Sequence, residues 1–135
     1  MKTRSILLPA LLVAGACHSP SGPDPVVLGR PFELRVGETA VLFPEGLQVT
    51  FRDVVGDSRC PTSVSCPWEG DGAVSLAAQA EDRHADLVLH TTLDPAAASF
   101  LEYRIRLATL RPYPRDPGPI DPKDYVATLV VSLEE

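Results

Sequence analysis

Basic residues are scarce in this sequence: 12 Lys and Arg stand against 18 Asp and Glu, a formal net charge of −6. A nucleic-acid-binding surface needs clustered positive charge against phosphate, so the composition excludes that class. Neither Gly-x-Ser-x-Gly nor His-Glu-x-x-His occurs, which removes the usual signatures of serine hydrolases and zinc peptidases. The three histidines, His18, His84 and His90, are not at zinc-finger spacing. No cofactor motif and no internal repeat is visible, so nothing points to an enzyme. Cysteine is equally sparse: three, an odd number.

What is there begins with "MKTRSILLPALLVAGAC". Lys2 and Arg4 form a positive head, Ile6–Val13 an apolar stretch too short to cross a bilayer as a helix, and Ala14–Ala16 a run of small residues before Cys17. The pattern resembles a bacterial lipoprotein signal. It departs from the usual form in having Ala14 three residues before the cysteine, where Leu is typical. The resemblance implies that residues 1–16 are a signal peptide and that Cys17 is lipidated. An ordinary secretory signal, leaving Cys17 as a free thiol, is the alternative. Lipidation through several acyl chains would give stable membrane anchoring. His18, rather than Asp, after the cysteine favours the outer membrane in a Gram-negative cell, facing the periplasm or the cell surface. Residues 17–30, rich in Pro, Ser and Gly, read as a flexible tether. Residues 31–135 then suit one domain with one core.

With Cys17 lipidated, Cys60 and Cys66 remain, in a compartment where disulfides persist. The spacing differs from the Cys-x-x-Cys of thiol oxidoreductases. A structural disulfide is the favoured reading, with redox or metal roles as the alternatives. In so small a loop the bond would contribute about 2–2.5 kcal/mol and act mainly on loop shape.

The rest is β in pattern. Phe32, Leu34 and Val36 alternate with Glu33 and Arg35; Leu47, Val49 and Phe51 alternate with Gln48, Thr50 and Arg52. Strands are also expected over "TAVLF", "GAVSLAAQA", "ADLVLHTT", "YRIRLATL" and "YVATLVVSL", the last central and covered on both faces. "LDPAAASF" reads as one helical turn, with Asp94 as cap and Pro95 in the first position. The expected fold is all-β: an immunoglobulin-like β-sandwich of about seven antiparallel strands with one short helical turn.

Two loops stand out. In "DSRCPTSVSCPWEG", prolines favour extended backbone beside each cysteine, Asp57 is within pairing reach of Arg59, and Trp68 is placed to cover the disulfide or the mouth of the sandwich. Most of this is the chemistry of holding a loop in shape. Read functionally, Arg59, Trp68, Glu69 and Asp71, with Tyr113, form an exposed recognition surface, because aromatic and Arg side chains dominate binding hot spots. The second loop, "RPYPRDPGPIDPKD", holds five prolines. It is a stiff cover or a second recognition element. His84 and His90 could share a strand face; such a pair is more often plain solvent-facing than a metal site. "EGDG" at 69–72 lacks the spaced oxygen ligands of an EF-hand.

The Asp57–Gly70 loop, together with Phe51, Val54, Leu107, Leu110, "PYP" at 112–114 and "PKDYVATL" at 122–129, resembles a group of small secreted or lipid-anchored bacterial β-proteins. They share the Arg-Cys-Pro…Cys-x-Trp-x-Gly loop. The resemblance implies a domain type and no activity. The expected function is a non-catalytic envelope module, held to the membrane by its lipid, that binds a protein or glycan through its loops. A protease-inhibitor-like domain is the alternative, and a metal carrier the outsider.

Overall fold

The computed structural model describes residues 25–135 and the isolated Gly15. Cys17, and nearly all of the signal and tether, lie outside the described residues. The domain is an all-β sandwich of two four-stranded antiparallel sheets. Its strands are β1 (Phe32–Arg35), β2 (Thr39–Val41), β3 (Gln48–Asp57), β4 (Gly72–Ala80), β5 (Arg83–His90), β6 (Ala97–Phe100), β7 (Tyr103–Arg111) and β8 (Val126–Leu133). One sheet runs β1-β8-β7-β6, the other β2-β3-β4-β5.

The core is what the alternation implies. Val49 and Phe51 lie opposite Ala78 and Leu76 across the β3–β4 pairing, and with Leu47 and Val74 they share one core with Ile105, Leu107, Leu129 and Val131 of the other sheet. β8 is flanked on both sides, and its second face is half-buried.

Strict alternation fails in β3 and β7, for a shared reason. Bulges between Phe51 and Asp53 and between Val54 and Gly56 each add one residue against β4. Val54 therefore turns inward while Val55 is left exposed, and the second bulge restores the phase so that the Asp57 carboxylate points in. In β7 a bulge between Leu107 and Thr109 brings Leu110 into the core.

The helical turn is not where the sequence places it. Ala97–Phe100 is instead strand β6, paired with β7 from Ala97↔Arg106 to Phe100↔Tyr103. Three alanines cannot nucleate a helix that has no further turns to propagate into, and the free edge of β7 offers them a ladder instead. The turn lies at Pro122–Asp124, inside the proline-rich loop, where Asp121 caps it by accepting the Lys123 N–H.

Candidate functional site

The loops cluster at the end of the sandwich where β3, β5 and β7 finish and β4 and β8 begin. The Asp57–Gly72 loop continues the β3–β4 ladder outward: Ser58 N–H donates to the Asp71 carbonyl (2.7 Å) and Cys60 N–H to that of Glu69 (2.9 Å). Cys60 and Cys66 are disulfide-bonded, with Cα atoms 5.9 Å apart, as the cysteine count argues. Gly70, at φ +71°, lies so close to the Ser58 carbonyl that a Cβ would sit 1.8 Å from its oxygen. The proline-rich loop then locks onto the stapled one, its Pro114 and Arg115 carbonyls accepting the N–H groups of Thr62 (3.1 Å) and Ser63 (2.9 Å). The two loops form one assembly.

Arg59 is the pin beneath it. Its Nε and Nη2 fork onto Asp57 Oδ1 (2.8 Å) and Oδ2 (2.7 Å). Nη1 donates to the Leu110 carbonyl (2.7 Å) and Nη2 also to that of Pro112 (3.0 Å). The Tyr125 hydroxyl donates to Asp57 Oδ2 (2.8 Å), and the Tyr113 ring lies over the guanidinium, 5.3 Å to its centroid. Burial alone would raise the Asp57 pKa; hydrogen bonds from Arg59 and Tyr125, with the guanidinium charge, outweigh it and hold the carboxyl below its ordinary value. The expected Asp57–Arg59 contact is present, but Arg59 is buried. It cannot contribute to an exposed recognition surface, because its donors face inward onto two strands.

Asp71 forms a second node. Its Oδ2 lies 2.6 Å from His90 Nδ1, and its Oδ1 accepts the N–H groups of Thr92 (2.9 Å) and Leu93 (3.1 Å). Burial works against these contacts, yet they keep the Asp71 carboxyl below its ordinary value. Asp71 thus ties the stapled loop to the loop after β5 and is not free to meet a ligand. His84 and His90 share the outward face of β5 but stand at opposite ends of it, about 20 Å apart at strand rise. Among the described residues no group of three or more His, Cys, Asp or Glu side chains could hold a metal ion.

Trp68 is 76% exposed, so its ring covers neither the core nor the mouth of the sandwich. It borders a shallow groove with Leu93, while Tyr113 borders an adjoining one; Glu69 and Thr92 line both. Of the five residues expected at the surface, Trp68, Glu69 and Tyr113 are exposed, and Arg59 and Asp71 are the supports beneath them. Leu93, Thr92 and Tyr125 belong to the same end and carry no sequence signal, since strand packing alone brings them there. Comparison with protein-family models, with curated proteins and with solved structures finds no match to this chain.

Proposed function

We propose that this chain is a non-catalytic, lipid-anchored envelope protein that binds a partner through the loops at one end of its sandwich. One observation carries the reading: the described chain begins at the end opposite those loops. Val26 bridges to Leu42, and Gly29 N–H donates to the Val131 carbonyl, beside the start of β3 and the finish of β8. The stapled loop leaves the far end of β3, a strand of 10 residues, about 30 Å away. An anchor at Cys17 would hold the first end and present the second.

The loop end is also built as a binding surface is. Exposed aromatics stand on a base fixed by a disulfide, a buried ion pair and loop-to-loop hydrogen bonds, so little ordering remains to be done on binding. The protease-inhibitor reading draws less support from the same loops. The tip of the stapled loop closes as a turn, Val64 N–H to the Pro61 carbonyl (3.3 Å), and the proline-rich loop takes the N–H groups of Thr62 and Ser63, so that tip is not free to lie extended along a cleft.

Two measurements test the reading. Labelled palmitate should enter the wild type and not Cys17→Ser. Envelope material retained by the wild-type chain should be lost with Trp68→Ala, whose fold is unchanged. Equal labelling of both chains, or equal retention by both, would refute it.

A further inference from the structure

The groove beside Trp68 and Leu93 has a volume of about 360 Å³ and the one beside Tyr113 about 380 Å³. Glu69 and Thr92 line both, so a polar ridge separates two aromatic-edged hollows. The ridge is fixed from below: the Glu69 carbonyl accepts the Cys60 N–H, and Thr92 N–H donates to Asp71.

Charge narrows the partner. The cations bordering the grooves are taken, Arg59 by Asp57 and Arg111 by Glu33. Among the described residues Glu69 forms no ion pair. Within these two grooves Glu69 is the unpaired charge, Arg59 being buried on its carboxylate and Arg111 paired at the surface, while Arg115 lies beyond Tyr113 in the groove on its other side. The exposed apolar side chains are few, Trp68 and Leu93 in one groove and Tyr113 in the other, with Glu69 and Thr92 between the grooves, far less apolar area than the centre of a standard protein–protein interface. A pyranose ring has the matching shape. Its flat C–H face packs on an indole or phenol ring, and its hydroxyls donate to a carboxylate or exchange hydrogen bonds with a threonine.

We propose that the loop end binds a neutral glycan chain, with sugar rings lying on Trp68 and Tyr113 and hydroxyls donating to Glu69. This rests on the reading of the loop end as the recognition surface and names the ligand class.

Trp68 is the chain's single tryptophan, so its fluorescence reads this site alone. The full chain, in detergent, is titrated with neutral hexasaccharides from cellulose, chitin, xylan, mannan and amylose, and with hexagalacturonate as the acidic control. The expected result is a saturable blue shift with at least one neutral hexasaccharide and none with hexagalacturonate. Glu69→Gln, which leaves the backbone contacts in place, should weaken that binding about tenfold, the loss of one charge-assisted hydrogen bond. Silence across the neutral panel, an equal response to hexagalacturonate, or unchanged affinity in Glu69→Gln overturns the glycan assignment. A photo-crosslinker at position 93 separates that failure from failure of the loop end itself. A crosslinked envelope protein with no glycan response overturns the glycan and keeps the loop end; no crosslink and no response overturn both.

Discussion

Arg59 and Asp57, two residues apart in sequence, form a two-pronged ion pair whose side chains are only 4% and 12% exposed. The guanidinium extends the pair to the backbone of β7 at Leu110 and of the proline-rich loop at Pro112. One side chain thereby joins both sheets and both loops.

Removing either partner leaves the other buried without its counter-charge. Arg59→Ala should cost about 3 kcal/mol, the low end for a broken buried pair because the Asp57 carboxylate keeps some contact with water. Arg59→Lys should rescue little, since an ammonium cannot fork onto a carboxylate and reach two carbonyls. Urea unfolding of the two variants checks this; a Lys variant as stable as the wild type would contradict it.

Gly70→Ala tests the close approach of the loop's two arms. Its backbone lies in the left-handed region, and the added methyl would collide with the Ser58 carbonyl, which is backbone and cannot swing away. Strain and displacement together should destabilise by about 2–3 kcal/mol. A control at Gly118, where a Cβ meets nothing within 4 Å, should lose only the smaller cost of a positive φ. Equal melting temperatures for the two variants would count against the argument.

Replacing Cys60 and Cys66 by Ser should lower stability by about 2 kcal/mol, the entropy of one small closed loop, and leave the β spectrum intact. Trp68 emission should stay at its solvent value, because the ring is already exposed. A marked red shift on removing the bond would mean that the indole packs against it in solution.

The readable parts of this fold are those where one rule acts alone. Alternation in "LQVTF" and "YRIRL" identified buried residues correctly because each strand pairs without interruption there. It failed beyond Phe51 and Leu107, where bulges shift the phase, and a bulge is a property of the pairing, not of one strand. Ala97–Phe100 was misread because alanine favours helix locally while the open edge of β7 decides the outcome. The Asp57–Arg59 pair was legible from spacing. Its burial was not, since Leu110, Pro112 and Tyr125 arrive from more than 50 residues away.

Tyr125 is buried and donates to Asp57; burial, then that hydrogen bond and the carboxylate charge, push its phenol up to about 12, against an ordinary value of about 10. The folded state therefore holds this proton more tightly than the unfolded chain. Its contribution to stability is whole below pH ~10 and is lost as pH rises through the folded value. Asp57 and Asp71 act with the opposite sign: both are lowered, so their contribution is whole above about pH 4 and is lost as pH falls through their folded values. Tyr125→Phe should cost about 1 kcal/mol at pH 7, one hydrogen bond to a charged acceptor partly exposed to water. It should also flatten the decline in stability between pH 10 and 12. Tyr103, likewise raised by burial, titrates in both chains and cancels from the difference. Urea unfolding at pH 7, 9 and 11 measures the two slopes; if they are equal, the Tyr125 hydroxyl does not rest on Asp57 in solution.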